Sequence, residues 1–348
     1  MGPADLLEGT VLAGKWKAIK RLIPKPTDTG GNFSTGYIVQ DSSGRKAFLK
    51  AMDYTRAFRS IDHVQAINAL TSAYLFEKDI CDKCSSRHLA RVVHAIESFT
   101  VQADPSNPFS KVECLVFELA DGDIRSHLNA SRRFDEAFLL RALHHVATAL
   151  KQLHCADIAH QDLKPSNVLV FGKDIGAKVA DFGRAWSKDF RAAHDNFKVA
   201  GDPGYAPPEL LYNYIPADQN VRRYGCDSYL LGSLAAFLFT SAHMNALIIK
   251  HLNHAHYPYT WSGTYAEVLP YVQTAFSSAL DEFGTATAPE SKRELVAIVS
   301  YLCQPDPAFR GHPLNRQGHA DQFGLERFIS AFDILAWKAE IRLANGSN

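Results

Sequence analysis

Residues 160 to 167, His-Gln-Asp-Leu-Lys-Pro-Ser-Asn, set a carboxylate, an ammonium two positions on and an amide oxygen three beyond that, just ahead of the apolar run Val168 to Phe171. Phosphoryl transfer asks for these groups. Asp162 can accept or orient a hydroxyl proton, Lys164 can neutralise charge on a migrating phosphoryl group, and Asn167 can ligate a hard Mg²⁺ through oxygen. A second apolar run ends in Asp181, another oxygen ligand for such a cation, followed by Phe182 and Gly183. Gln161, wedged between His160 and Asp162, raises the question of whether this is a dead site or an unregulated one.

The elements that must hold these groups differ between the two halves of the chain. Up to about Glu118, short apolar runs alternate with Gly, Pro and Ser. In Phe33 to Asp53, two β-like runs flank Asp41-Ser42-Ser43-Gly44, which predicts a hairpin. Val64, Ile67, Leu70 and Tyr74 then recur at helical spacing and carry Glu77 on the same face one turn later. The first half therefore reads as a small antiparallel sheet interrupted by one helix. Beyond Glu118 the patterns are long and helical, clearest where Leu143, Val146, Ala147, Leu150 and Leu153 form one stripe. Residues 283 to 291, rich in Gly, Thr and Pro, read as a surface loop. A terminal helix with Leu325, Phe328, Ile329, Phe332 and Leu335 on one side is expected to pack on the second half, with a partner-binding helix as the other reading.

At 348 residues, 46% hydrophobic and 21% charged, the chain has enough apolar content for one large core or two lobes. Lys plus Arg and Asp plus Glu both total 37, so no overall field favours nucleic acid or an anionic membrane, and neither is expected as a partner. The N-terminus lacks a basic region followed by an apolar run, and Leu6 stands where a myristoylation signal wants Ser or Thr. Tyr229 to Thr240, the most apolar stretch, falls short of the roughly 20 residues of a membrane helix and is expected to be a buried core helix. Six scattered cysteines suit reduced thiols in a cytoplasmic protein. Cys81, Cys84 and His88 have part of a zinc spacing, but no second pair completes it, so plain helix residues are expected.

Across nearly its whole length the chain resembles the eukaryotic-type (Hanks-type) serine/threonine protein kinases, with a bacterial-like opening around Leu7 to Trp16 and Gly30 to Val39. The resemblance implies an α+β, bilobal fold. Residues 1–118 would be the N-lobe, with a small antiparallel sheet and one main helix. Residues 119–320 would be the larger, mainly helical C-lobe, and 321–348 an amphipathic helix and tail. It also implies ATP and Mg²⁺ as cofactors, with Mn²⁺ as an alternative, and a protein substrate with a Ser or Thr acceptor. Lys50, in Ala47-Phe48-Leu49-Lys50, would hold the α- and β-phosphates while paired with Glu77. Asp162 and Lys164 join these two as the catalytic residues, and Asn167 and Asp181 would hold the metal. Gly30, Gly31, Phe33, Ser34 and Gly36 match the phosphate-covering hairpin. Phe117 falls at the gatekeeper, Glu118 to Ala120 would present backbone groups to adenine, Asp123 lies where ribose is often contacted, and Leu169 is counted among the cofactor-binding residues. Glu209 and Arg310 match the family's distant ion pair, and Asp227 its buried central aspartate. The lysine two residues after the catalytic aspartate points to the serine/threonine branch.

The departures are local. Ser34 replaces the third glycine of the hairpin, Thr29 the first, and Gly36 takes the usual valine position. Phe48 stands where alanine normally roofs adenine; either its ring uses space vacated at Gly36, or the alignment is off and Ile38 is the true roof. Asp202 replaces a threonine and is expected to pair with Lys164, while its charge near Asp162 should raise the proton affinity of one carboxylate. Gln161 makes the catalytic loop non-RD, lacking the arginine that grips an activation-loop phosphate. Between Asp181 and Glu209 there is no threonine, and Ser187 is the one hydroxyl before Tyr205. Receptor and ligand are thus lost together, so switching by activation-loop phosphate is expected to have been given up and Gln161→Arg to change little.

The leading expectation is an active serine/threonine protein kinase. A pseudokinase scaffold that binds nucleotide is the alternative, supported by the degenerate hairpin, Phe48 and Asp202. A small-molecule kinase is disfavoured by Glu209 and Arg310, which build a peptide platform. The stretch from roughly 240 to 290 looks longer than the family's usual connection and, with the C-terminal helix, is a place for a partner.

Overall fold

The computed structural model describes residues 2–23, 34–107, 110–130, 135–172, 176–317 and 321–346. Six strands form one antiparallel sheet in the order β1-β2-β3-β4-β6-β5: β1 (Val11–Leu12), β2 (Trp16–Leu22), β3 (Ser34–Gln40), β4 (Lys46–Met52), β5 (Ala95–Gln102) and β6 (Lys111–Glu118). β3 and β4 are the hairpin expected around Asp41 to Gly44. Their burial alternates with period two. Thr35, Tyr37, Val39, Ala47 and Leu49 are buried on one face, whereas Ser34, Gly36, Ile38, Phe48 and Lys50 lie half-buried on the other. That second face is the one that meets the rest of the molecule.

Helix α1 (His63–Ser86) crosses between β4 and β5, N-capped by Asp62, whose side chain accepts from Gln65 N–H. Leu70, Tyr74 and Glu77 are buried as expected, but Val64 is 71% exposed and Ile67 only half-buried. Cys81 and Cys84 are buried on the same helix among apolar neighbours.

The second half is helical: α2 (Ile124–Ala130), α3 (Glu136–His154), α4 (Pro208–Leu211), α5 (Gln219–Thr240), α6 (Met244–His251), α7 (Tyr265–Thr285), α8 (Pro289–Leu302), α9 (Pro313–Arg316) and α10 (Glu326–Ala344). Short strands β7 (Gly122–Asp123), β9 (Val168–Phe171) and β10 (Gly176–Val179) form one ribbon, and β8 (Ile158–Ala159) pairs with β11 (Trp186–Ser187). The predicted stripe of α3 is fully buried from Leu143 to Leu153. α10 covers it, seating Phe328, Phe332 and Leu335, and Arg141 and Arg342 tie its rim through Glu340 and Glu136. α5 is the central helix, with every residue from Gly225 to Ala236 buried. No single helix among the described residues is long and apolar enough to cross a membrane.

Residues 283–291 are not the surface loop their composition suggests. α7 runs through Thr285 and α8 starts at Pro289, while Phe283, Gly284 and Thr287 are buried and the Ser291 hydroxyl donates to Glu136. Pro289 is at the first turn of α8, where its missing N–H costs nothing, so the Pro and Thr that suggested a loop mark only a three-residue break.

Candidate active site

The catalytic loop is built on a buried carboxylate. Asp227 of α5, wholly inaccessible, accepts the N–H groups of His160 and Gln161 at 2.8 Å each and pairs with His154 Nε2 at 2.9 Å. These bonds hold Gln161 in a left-handed conformation, φ 61°, which a non-glycine residue adopts at a cost that the surroundings must meet. The turn that follows aims Asp162 and Lys164 into a cavity of about 700 Å³, whose walls include Lys50, Glu77, Asp181 and Asp202. The sheet supplies Lys50, α1 supplies Glu77, and the segment after β10 supplies Asp181.

Lys50 Nζ donates to both oxygens of Glu77, at 2.7 and 2.8 Å, and lies 3.6 Å from Asp181 Oδ1. Burial alone would make this ammonium less basic, but the charges of Glu77 and Asp181 outweigh it and hold its pKa above the ordinary lysine range. Lys50 in turn holds the Asp181 carboxyl below its usual value against the opposing effect of burial. Asp181 is itself left-handed, φ 64°, with its side chain 40% exposed to the cleft, while Phe182 beside it is buried edge-on to His160 at 5.5 Å.

Asp162 is 8% exposed, 3.1 Å from Lys164 Nζ, and Oδ1 accepts the Asp202 N–H at 2.8 Å. Burial pushes its pKa above the usual range, Lys164 and His160 oppose this, and Asp181 adds to it. The expected pairing of Asp202 with Lys164 is present at 3.7 Å from Oδ2, Oδ1 accepts from Gly204 N–H at 2.9 Å, and the Asp202 backbone N–H favours ionised Asp162. Asn167 Nδ2 donates to the Asp162 carbonyl at 2.7 Å. This leaves the amide oxygen, which takes the Ser166 hydroxyl at 3.3 Å, and the partly exposed carboxylate of Asp181 as hard oxygen donors. Such a set fits a divalent cation whose remaining ligands are phosphate oxygens and water.

Of the other expected residues, Gly30, Gly31 and Phe33 lie outside the described residues. Ser34, Gly36, Phe48 and Lys50 share one face of the hairpin, with Gly36 opposite Lys50 and Ile38 opposite Phe48. Phe48 and Phe117 pair across β4 and β6 with ring centroids 6.4 Å apart. Glu118 N–H already donates to His94 O at 3.1 Å, and its carboxylate takes Lys178 Nζ at 2.7 Å and His94 N–H at 2.8 Å, so N–H donors of the Glu118 to Ala120 stretch would have to come from Leu119 and Ala120. Asp123 pairs with Leu169 across β7 and β9, but both its oxygens cap α2 through Ser126, at 2.7 and 3.0 Å. The Glu209–Arg310 pair forms as expected, bidentate at 2.7 Å and fully buried.

Two residues escaped sequence reasoning. A Cβ on Gly201 would lie 2.6 Å from Asp162 Oδ1, so glycine is what lets the activation segment close on the catalytic carboxylate. Arg223, one helical turn N-terminal of Asp227, donates to Gln161 Oε1 at 2.6 Å. Nothing in a local motif marks either, because each matters only through a segment distant in sequence. Arg223 also bears on the expectation for Gln161→Arg, since that substitution would bring a second guanidinium against the first in a buried site.

Comparison with known proteins agrees with this geometry. The protein kinase domain model matches residues 31–312. The chain is 36% identical over 129 residues to the calmodulin-binding receptor-like cytoplasmic kinase 1 of Arabidopsis thaliana, covering 35% of this chain and 26% of that protein. It is 37% identical over 128 residues to the CBL-interacting protein kinase 4 of Oryza sativa subsp. japonica, covering 36% and 28%. It is 32% identical over 151 residues to the serine/threonine-protein kinase fused of Drosophila melanogaster, covering 43% and 17%. The matched stretch thus spans between 17% and 28% of these relatives' own length. With the ordered site, the Glu209–Arg310 pair and a family model over most of its length, the chain belongs to the protein kinase domain family, whose fold binds ATP together with a divalent cation.

Proposed function

We propose that this chain is an active serine/threonine protein kinase that transfers the γ-phosphoryl group of Mg·ATP to a protein hydroxyl, without needing a phosphate on its activation segment. The observation that carries the reading is the convergence of Lys50, Glu77, Asp162, Lys164 and Asp181 on one cavity, with the Lys50–Glu77 pair closed at 2.7 Å. A scaffold that only held a partner would have no use for all five together.

ATP with its cation supplies the transferable phosphoryl group. Lys50, fixed by Glu77, would hold the nucleotide's phosphates, and Asp181 with Asn167 would hold the cation. Asp162 accepts the hydrogen bond of the incoming hydroxyl and aims its lone pair in line. Positioning is the larger part of its contribution, because a loose transition state releases the proton late. Lys164, 3.1 Å from Asp162, neutralises charge on the group in flight. The serine/threonine class is supported by Lys164 two positions after Asp162 and by the Drosophila relative's name. Independence of activation-segment phosphate is supported by Gln161 and by Ser187, which is buried in β11.

Purified chain incubated with Mg²⁺ and γ-labelled ATP, alone and with generic basic substrates, should incorporate label, whereas Asp162→Asn and Asp181→Asn should not. Tight nucleotide binding with no label from the wild type would point instead to a nucleotide-binding scaffold.

A further inference from the structure

We infer that Arg223 is a positioning residue for phosphoryl transfer: from α5 it ties the catalytic loop at Gln161 to the activation segment at Asp195, doing permanently what a phosphorylated loop would do on demand. The inference rests on the kinase reading above and says how that site is kept assembled.

Arg223 is 3% exposed. Its Nη1 donates to Gln161 Oε1 at 2.6 Å and its Nη2 to the Asp195 carbonyl at 2.8 Å, while Nε reaches Gln219 Oε1 at 3.4 Å. Its guanidinium carbon lies 5.7 Å from the ring centroid of Trp186. Arg222 adds bonds to the carbonyls of Asp195 and Phe197, at 3.1 and 3.0 Å. Gln161 completes the circuit by donating Nε2 to the Arg184 carbonyl at 3.2 Å. One amide side chain and two guanidinium groups thus pin the activation segment at Arg184, Asp195 and Phe197, and they do so next to the backbone that carries Asp162.

All of these acceptors are neutral. A buried cation whose direct hydrogen-bond acceptors are all amide and carbonyl oxygens is an expensive choice for stability alone; the Asp195 carboxylate acts on it only from beyond hydrogen-bond range, and burial with Arg222 pulls the Arg223 pKa down to about 10. The choice makes sense as a substitute for a switch. Where an arginine in the catalytic loop would wait for a phosphate, this cation sits on the central helix and already has its acceptors. Gln161 fits because an amide can accept from Arg223 and donate to Arg184 at once, which neither arginine nor glutamate can do.

The test uses the chain of residues 1–348 with Arg223→Met, Arg223→Lys, Gln161→Arg and the exchange Gln161→Arg/Arg223→Gln. Transfer kinetics on a generic basic substrate are read beside backbone hydrogen exchange over residues 184–198. Arg223→Met and Gln161→Arg should each lower kcat by about 10- to 100-fold, the scale of a small misplacement at a reacting group. KM for ATP should stay within about twofold, because Lys50, Glu77 and Asp181 are untouched. Exchange over 184–198 should speed up in both. Arg223→Lys, with one donor direction in place of two, should fall between them and the wild type. The exchange variant restores an arginine–glutamine pair in reverse and should regain protection and most of kcat. If Arg223→Met does not fold, Gln161→Arg and the exchange variant carry the same comparison. Wild-type kcat and protection in either single variant, or no recovery in the exchange variant, would overturn the inference. Because exchange needs no turnover, a wild-type chain that binds ATP but transfers nothing would defeat the kinase reading while the positioning claim was still judged by protection.

Discussion

A Cβ placed on Gly36 would lie 3.0 Å from Cε2 and 3.3 Å from Cζ of Phe48, so the ring occupies the volume that a side chain at position 36 would fill. The two departures from the family pattern are one exchange of volume across neighbouring strands. Val at 36 should therefore be tolerated only when 48 is small. Gly36→Val is expected to cost about 1–3 kcal/mol by overpacking and to weaken ATP binding about tenfold, a shift of roughly 1.4 kcal/mol. Gly36→Val/Phe48→Ala should recover both. Calorimetric ATP titration of the three proteins decides it, and unchanged affinity in the single variant would mean that the ring is free to leave.

Lys50 has two carboxylate neighbours at unequal distance, Glu77 at 2.7 Å and Asp181 at 3.6 Å. Removing Glu77 leaves Asp181 as the remaining carboxylate paired with Lys50 among the described residues, and electrostatics then draws the metal-binding carboxylate onto the lysine. Glu77→Gln should lower kcat/KM for ATP by more than tenfold. Its stability cost should stay below the roughly 3–5 kcal/mol typical of breaking a buried pair, because Lys50 remains partly compensated. A chemical denaturation curve beside the kinetics separates the two effects. A large stability loss with unchanged kinetics would show that the pair is purely structural.

Much of the site was legible because phosphoryl transfer fixes residue types at short spacing. Asp162, Lys164 and Asn167 sit within one loop, and Asp181 follows the second strand after it. The distant pairs Lys50–Glu77 and Glu209–Arg310 were legible only through family resemblance, since nothing in periodicity joins residues so far apart. What was missed follows the same logic. Gly201 and Arg223 act on the catalytic loop from segments with no motif of their own, and the charge of Asp202 could not be placed until its turn showed Gly204 N–H holding it. Residues 283–291 misled because composition reports turn-forming residues without saying whether a helix end will use them.

The protonation of Asp162 gives a direct check on the electrostatics of the loop. Burial raises its pKa and Lys164 is the largest opposing influence. In ¹³C-carboxyl NMR of the nucleotide-free chain, Asp162 should titrate above the ordinary value of 3.8, and Lys164→Met should move it further up. Transfer activity should fall on the acid side through the same titration, because a protonated Asp162 cannot accept the substrate's hydroxyl proton. A midpoint at or below 3.8 would mean that the loop is more open to water than its 8% exposure implies.

His145 offers a stability test away from the chemistry. It is buried in α3, where its Nδ1 accepts the Ala177 N–H at 3.2 Å and therefore has to be unprotonated. Burial, with Arg91 nearby, lowers its pKa from 6.5 to about 3. The unfolded chain takes up this proton near pH 6.5, whereas the folded chain resists it until near pH 3. The contribution is therefore fully present above pH 6.5 and is lost as pH falls between those values, at up to about 1.4 kcal/mol per pH unit for one proton. His145→Gln keeps an acceptor for Ala177 and removes the titration. Urea denaturation at intervals from pH 7 to 4 should show a shallower loss of stability in the variant than in the wild type, even if the variant starts lower. Parallel slopes would mean that the imidazole protonates in place and that the ribbon of β9 and β10 gives way to admit water around it.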